Sequence, residues 1–248
     1  MKHFVSVSAL LVLLGANPQH ALAQARSLVQ EERPVSVFVV DVAGNGLTLT
    51  SAKDGVLFDL DRKGARTRVG WTAPNSDDAF VVLDVNRNGR IDDGSEMLGD
   101  GWRLTSGARV DSSVQALLVV QGFSPDAGER PGPRGIAWID RDDAVFARLR
   151  LWTDTNHNGQ AESIELRSLR DARLRTIYTG FSARKQPAPD AQGNTTRTLG
   201  TVTFERNPTW RERLDVFLGR VAYPPGWVPS YDRGMALITF SRGNAVGR

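Results

Sequence analysis

Short apolar runs separated by polar turns recur along the chain and predict β-strands toward both of its ends. Val35–Val40 is the first such run, is rich in β-branched residues and leads into Asp41. Leu47–Thr50 and Val56–Phe58 flank Lys53-Asp54-Gly55, which predicts a hairpin. Further strands are predicted at Phe80–Leu83, Thr176–Phe181, Leu199–Phe204 and Met235–Phe240, and a short helix or strand at Val114–Val120 and Leu214–Ala222.

In the middle of the chain the apolar spacing becomes that of a helix. Asp142 is placed to cap the start of one helix, and a shorter helix is expected after an intervening polar loop. We therefore predict an α+β fold with strands and hairpins at both ends and a central helix–loop–helix. The residues that set the helical spacing are Val145, Phe146, Leu149 and Trp152 before the loop, and Ile164, Leu166 and Leu169 after it.

The twelve residues from Asp154 to Glu165 have the ligand pattern of an EF-hand calcium loop. Oxygen-bearing side chains fall at loop positions one, three, five, nine and twelve. Gly159 at position six permits the sharp turn, and the residue at position seven offers a backbone carbonyl. A polar surface turn is the alternative, but such a turn needs no glutamate at position twelve. The predicted ligands are Asp154, Asn156, Asn158, Gln160, Glu162 and Glu165.

The same pattern of apolar run, aspartate, alternating polar residues and glycine occurs four times, beginning at Asp41, Asp59, Asp84 and Asp154. The loop that begins at Asp84 is a second predicted calcium site, although its glutamate comes one residue late. A slightly longer exit from the loop would bring that glutamate to the ion. The predicted ligands there are Asp84, Asn86, Asn88, Arg90 through its backbone, Asp92 and Glu96.

The other two repeats lack a ligand that calcium requires. Lys63 places a cation at position five of the loop that begins at Asp59, and Ala43 offers no side-chain oxygen at position three of the loop that begins at Asp41. Both are predicted to be structural turns that have lost their ligands.

Composition and charge add an export signal and an uneven charge distribution. Residues 1–23 have a positive start, an apolar run too short to span a bilayer and a small-residue cleavage site, and thus predict a signal peptide. With no cysteine, disulfides and lipid attachment are excluded. Residues 24–166 hold 16 basic and 22 acidic side chains, and residues 167–248 hold 14 and 6. The basic part is a candidate surface for a protein or another anionic partner, but no basic-aromatic motif indicates nucleic acid.

Most catalytic chemistries find no support in the sequence. His157 is the only histidine after the predicted signal and, at loop position four, is expected to point to solvent. Cys-His and Ser-His-Asp catalysis therefore lack their residues. Carboxylate pairs such as Asp77-Asp78 could serve a glycosidase, but turns and calcium ligation explain them as well. Tryptophans such as Trp71 and Trp102 could stack on sugars, although core packing is the simpler use.

Five sequence segments occur here in one order: Val56–Asp61, Gly70–Pro74, Asp77–Asp84, Gly89–Asp100 and Ala144–Trp152. In that order they resemble the calcium-binding module of large secreted repeats-in-toxin (RTX) proteins of Gram-negative bacteria. That family includes the self-processing module of iron-regulated RTX proteins. The resemblance covers roughly Val35 to Tyr223 and implies a module that folds on calcium through EF-hand-like loops. The resemblance implies the ligands Asp154, Asn156, Asn158, Glu165, Asp84, Asn86, Asn88 and Glu96.

In self-processing members, calcium triggers cleavage of an Asp-Pro bond just ahead of the first strand. This chain has Arg33-Pro34 at that place and no Asp-Pro pair anywhere. A further calcium loop of the family, ahead of Ala144, is replaced by a proline- and glycine-rich insert. We therefore expect a calcium-binding protein that is not an enzyme, with calcium-triggered self-processing as the alternative.

The expected organisation is a signal peptide at residues 1–23, a polar leader at 24–34 and the calcium-binding module at 35–223. Residues 224–248 are expected to form a C-terminal extension packed on the same domain. We expect a periplasmic or secreted protein of a Gram-negative bacterium, with no membrane span and with calcium as its ligand.

Overall fold

The computed structural model describes residues 34–104, 106–110, 113–123, 138–183, 188–205 and 230–243. The predicted signal peptide, nearly all of the polar leader and the segment 214–222 lie outside the described residues. Among the described residues, no helix has both the length and the apolar character needed to cross a membrane.

An antiparallel sheet of eight strands dominates the fold, with the order β5-β8-β9-β10-β1-β4-β6-β7. Strands β2 and β3 form a separate two-stranded sheet. The strands are β1 (Ser36–Val40), β2 (Val56–Phe58), β3 (Thr67–Val69), β4 (Ala79–Val82), β5 (Trp138–Asp140), β6 (Arg150–Trp152), β7 (Leu166–Ser168), β8 (Leu174–Ala183), β9 (Thr195–Glu205) and β10 (Ser230–Thr239), and helix α1 is Ser113–Val120.

The central strands are buried on both faces, which explains why their sequences are continuous apolar runs rather than alternating ones. One face contributes to a core that includes Leu117 of α1, here called the helix-side core. The other face contributes to a core that includes Trp71 and Ile91, here called the loop-side core. Successive residues alternate between them: Phe38, Val40, Val81, Leu151 and Leu237 face the first core, and Val37, Val39, Phe80, Trp152 and Ile238 face the second.

The predicted α+β fold with a central helix–loop–helix is wrong. Turns occupy residues 141–148, where the first helix was expected, and strand β6 follows them. The second expected helix is replaced by strand β7. Leu151 and Trp152 lie in opposite cores, as adjacent residues of a strand do, whereas adjacent positions of a helix lie only about 100° apart. Pairing of β6 with β4 and β7 therefore overrides the local helical spacing.

The predicted hairpin between residues 47–50 and 56–58 is also wrong. Strand β2 pairs instead with β3, and the connection between them contains the loop that begins at Asp59. Leu49 makes only an isolated bridge to Thr72. The strands predicted at residues 35–40, 80–83, 176–181, 199–204 and 235–240 are confirmed as β1, β4, β8, β9 and β10.

Candidate metal centres

The four repeated loops share one backbone conformation. The residues at positions four and six both have positive φ, a conformation that favours glycine and is uncommon for other residues. In each loop the amide at position six donates a hydrogen bond of 2.7–2.9 Å to Oδ2 of the opening aspartate. The internal repeat predicted from the sequence is therefore also a structural repeat. The residues with positive φ at positions four and six are, loop by loop, Gly44 and Gly46, Arg62 and Gly64, Arg87 and Gly89, and His157 and Gly159.

The loop from Asp154 to Glu165 connects β6 to β7 and brings its first and last carboxylates into the protein. Asp154 is 1% exposed and Glu165 is 7% exposed. Oε1 of Glu165 accepts hydrogen bonds from the amides of Thr155 at 3.0 Å and Asn156 at 3.5 Å. The glutamate thus folds back over the start of the loop, as the last residue of a calcium loop must do to complete the ligand set.

The remaining predicted side-chain ligands of this loop lie against one another. Asn158 donates from Nδ2 to Oε1 of Glu162 at 2.7 Å, and its own amide donates to Oδ1 of Asn156 at 3.1 Å. The amide of Gln160 donates to Oδ1 of Asn158 at 2.7 Å. The carboxylate of Glu162 also lies against that of Glu165, and this contact lowers the pKa of Glu162 and raises that of Glu165. Two carboxylates in contact are stable only when they share a proton or a cation.

The electrostatics of this loop also favour a cation. Burial raises the pKa of Glu165, and the neighbouring carboxylates of Glu162 and Asp154 raise it further. These carboxylates repel one another when all are ionised. A bound divalent cation would offset both the burial and the repulsion.

The loop that begins at Asp84 reaches a matching arrangement despite its different spacing. Glu96 is 2% exposed, and its Oε1 accepts hydrogen bonds from the amides of Val85 at 3.0 Å and Asn86 at 3.4 Å. Val85 and Asn86 are loop positions two and three, the same positions whose amides bind Glu165 in the other loop. Glu96 therefore occupies the same place as Glu165, although it comes one residue later in its loop.

The side chains of this second loop also converge. Oδ2 of Asp92 accepts hydrogen bonds from Nδ2 of Asn86 at 2.9 Å and from Nδ2 of Asn88 at 2.6 Å, and these bonds lower the pKa of Asp92. Asp84 accepts from the amide of Asn88 at 3.1 Å. The amide of Arg90 donates to Oδ1 of Asn88 at 2.8 Å. The structure thus brings the predicted residues of each loop close together. Metal binding by these residues, including through the carbonyls of residues 90 and 160, stays a prediction.

The loop that begins at Asp59 uses its second carboxylate for a different purpose. Asp61 forms an ion pair of 2.9 Å with Arg242 and accepts a hydrogen bond of 3.0 Å from the amide of Val35. Burial acts to raise the pKa of Asp61, but the hydrogen bond and charge of Arg242 hold it below its usual value. This carboxylate already has a cation from the protein, which agrees with a structural turn.

The two predicted calcium loops lie side by side. Residues 88–92 of one loop and Gln160–Ser163 of the other line a cleft of about 420 Å³, together with Arg66. Ile91 and Ala161, at position eight of their loops, both contact the loop-side core. The two residues at position eight thus share one core and one cleft, although no EF-hand helices flank their loops.

Three aromatic residues that hold the loop from Asp154 to Glu165 were not foreseen as part of the site. Nε1 of Trp71 donates to Oδ2 of Asp154 at 2.8 Å, and Nε1 of Trp152 donates to Oε2 of Glu165 at 3.3 Å. The expectation that His157 points to solvent is wrong. Its Nδ1 lies 2.9 Å from the Thr72 carbonyl oxygen and its Nε2 lies 2.8 Å from that of Asp54. The contacts of Trp71 and His157 join residues that lie 83 to 103 positions apart along the chain, so no local pattern could show them. Only the contact between Trp152 and Glu165 is local.

Comparison with known proteins identifies the family of the chain. The sequence profile described as the SPM domain matches residues 38–219, and the chain therefore belongs to the SPM domain family. A relative is the iron-regulated protein FrpA of Neisseria meningitidis serogroup C, which is 31% identical over 170 residues. That match covers 66% of this chain but only 14% of FrpA. The chain is thus related to the self-processing module of FrpA-like proteins and spans a small part of such a protein's length.

Proposed function

We propose that this chain is a calcium-binding SPM domain in which the loops 84–96 and 154–165 each bind one ion. The observation that carries this proposal is the matching placement of Glu96 and Glu165. Both are buried and both accept hydrogen bonds from loop positions two and three, although they differ by one residue in spacing. A turn without a ligand would have no need to keep a buried carboxylate in the same place in two loops.

The donor sets fit calcium. All candidate ligands are carboxylate, amide or backbone oxygens, which suit a hard cation that takes six to eight oxygens. The carboxylates of Glu162 and Glu165 lie against one another, and a cation would take the place of the proton that they otherwise share. When bound, the ion would neutralise the clustered carboxylates and fix the two loops against the loop-side core.

The proposed role of the ion is structural. Asparagines at positions three and five leave each loop with few carboxylates, which favours dissociation constants of roughly 10⁻⁴ to 10⁻³ M, as in extracellular modules. At a free calcium concentration of about ten times the dissociation constant, each site would add about 1.4 kcal/mol to the free energy of unfolding. Such affinities suit an exported protein that meets abundant calcium, which is where we propose that it acts.

We further propose that the domain is not an enzyme. The related module's cleavage acts on an Asp-Pro bond ahead of the first strand, and Arg33-Pro34 stands there in this chain. The carboxylate that the cleavage requires is therefore missing from the sequence.

A calcium titration followed by tryptophan emission tests the proposal. The indoles of Trp71 and Trp152 donate hydrogen bonds to two predicted ligands, so their emission should report the ion directly. Glu165→Gln should remove most of the emission change. Glu96→Gln should leave that change and weaken a second binding event seen by calorimetry. Glu205→Gln, a substitution on β9 outside all four loops, is the matched control. If both loop variants bound calcium as tightly as the parent, the proposal would be wrong.

A further inference from the structure

A second cleft lies where the loop that begins at Asp84 meets the turns at residues 141–148 and strand β6. It has a volume of about 390 Å³ and is here called the arginine cleft. Three of its four charged lining residues are arginines. The residues that matter for its chemistry are Asp84, Arg87, Ile91, Arg148, Arg150 and Leu166.

Two of these arginines present their side chains to solvent. Arg87 is at position four of its loop, where His157 and Arg62 stand in two of the other loops. Those two residues are tied to the protein: His157 contacts two backbone carbonyl oxygens, and Arg62 donates to that of Gly101 at 3.2 Å. Within the described ranges, the exposed side chains of Arg87 and Arg148 form no hydrogen bond or ion pair. Their guanidinium groups can therefore bind a ligand without losing a partner in this part of the chain.

The third arginine is held in place at the cleft. Arg150 is half-buried, and its Nη1 donates to the carbonyl oxygens of Ala147 and Leu149, each at 2.9 Å. These bonds use donors of one nitrogen, whereas a guanidinium group has five N–H donors in a planar fork that matches a carboxylate. The cleft thus combines one positioned guanidinium group with two exposed ones, an arrangement that suits an anion.

The walls of the cleft indicate which kind of anion it fits. Ile91 and Leu166 both pack against the loop-side core and give the cleft an apolar surface beside its charges. A phosphate or sulfate group would leave that surface uncovered, whereas a peptide can cover it with an apolar side chain next to a carboxylate. Leu166 also begins β7, the last strand in the order of the eight-stranded sheet, and sheet edges are common sites for extended peptides. Charge and apolar surface together favour an acidic protein segment.

We propose that the arginine cleft binds an acidic segment of another protein, and binds it more tightly when calcium occupies the loop 84–96. Asp84 lines the cleft and is also a predicted ligand in that loop. Without an ion its negative charge opposes an acidic ligand, whereas a bound ion would offset that charge. The coupling is reciprocal, so the acidic segment would also raise the affinity of the loop for calcium. The calcium dependence rests on the proposed function, but the binding to the arginines does not.

Fluorescence anisotropy of a labelled peptide that alternates glutamate and leucine tests this cleft. At constant ionic strength, the parent should bind this peptide and not a matched peptide with glutamine in place of glutamate, and calcium should tighten the binding about fivefold. A double variant, Arg87→Gln with Arg148→Gln, should weaken the binding about tenfold, because both substitutions remove charge-assisted hydrogen bonds. Arg170→Gln, which removes an exposed arginine outside the cleft, is the matched control and should bind as the parent does.

Melting temperatures equal to that of the parent should show that the arginine variants fold. Binding by the double variant that equals the parent's, or equal binding of the two peptides, would overturn the cleft. Heparin that binds the parent more tightly than the peptide does, and that the double variant no longer binds, would contradict the choice of a protein segment as the partner.

The two proposals can fail separately. Peptide binding in chelator tests the arginines alone, and the calcium count of Glu96→Gln without peptide tests the loop alone. Arginine-dependent binding that does not change with calcium, in a chain whose loop binds calcium, would overturn the coupling. Absence of calcium from the loop would overturn the proposed function, while arginine-dependent peptide binding in chelator would still support the cleft.

Discussion

Replacing Trp71 with phenylalanine is expected to destabilise the protein strongly, because its indole is a donor to a buried carboxylate. The side chains of Trp71 and Asp154 are 0% and 1% exposed, and the hydrogen bond between them is 2.8 Å long. A hydrogen bond to a charged group contributes about 1.5–3 kcal/mol, and removing one partner leaves the other buried and unpaired. The smaller ring also loses packing against the loop-side core, at about 1 kcal/mol. We therefore expect Trp71→Phe to lower the free energy of unfolding by about 2.5–4 kcal/mol in chelator.

Trp71→Phe should lower the free energy of unfolding by a smaller amount when calcium is present. A cation at Asp154 would supply part of the charge stabilisation that the indole provides, so the loss in saturating calcium should be smaller than the loss in chelator. Urea unfolding under the two conditions measures both values. The matched control is Trp102→Phe, because the indole of Trp102 donates to a neutral acceptor, the Met97 carbonyl, at 3.0 Å. It should lower the free energy of unfolding by about 0.5–1.5 kcal/mol for the lost bond and by at most about 1 kcal/mol for the smaller ring, regardless of calcium. A loss for Trp71→Phe that equals the control, or that does not change with calcium, would refute the reasoning.

Three further predictions concern other parts of the molecule. Without calcium, burial raises the pKa of Glu165 above 4.5, so the folded chain holds a proton that the unfolded chain has released. The stabilisation that this proton contributes should then be lost as the pH rises past about 4.5, and Glu165→Gln should remove this loss when it is compared with the parent in pH-dependent urea unfolding. For Asp61, whose pKa is lowered, the pH dependence has the opposite sign. Arg242→Gln should lower the free energy of unfolding by about 1 kcal/mol at neutral pH, and this difference should disappear in urea unfolding as the pH falls below the lowered pKa of Asp61. The chain without its predicted signal peptide, incubated with calcium, should stay intact on a denaturing gel, and a discrete fragment absent from the chelator control would contradict the proposal that it is not an enzyme.

The parts of the site that depend on short-range pattern could be predicted from the sequence. The order of oxygen-bearing residues and glycine fixes the turn from Asp84 to Gly89, and its counterpart from Asp154 to Gly159, because the opening aspartate accepts hydrogen bonds from amides four and five residues later. The strands that are long apolar runs were also predictable, since burial on both faces leaves them no polar positions.

The parts that depend on pairing across the sheet could not be predicted in this way. Residues 145–152 have helical spacing, but β6 finds its partners in β4 and β7, and this pairing decides its conformation. Likewise, the sequence identified Asp41 as the start of a loop without a complete ligand set. Only the register of β1 against β4 brings Asp77 and Asp78 beside it. Tertiary contacts thus corrected the fold class and brought together side chains that no local pattern connects.

The most direct test of calcium binding at the two loops is equilibrium dialysis of the parent and of a double variant, Glu96→Gln with Glu165→Gln. Each substitution removes one carboxylate oxygen that the loop turns inward over its own start. The account predicts that the folded double variant binds about two calcium ions fewer than the parent at millimolar calcium. A folded double variant that binds as many ions as the parent would contradict it.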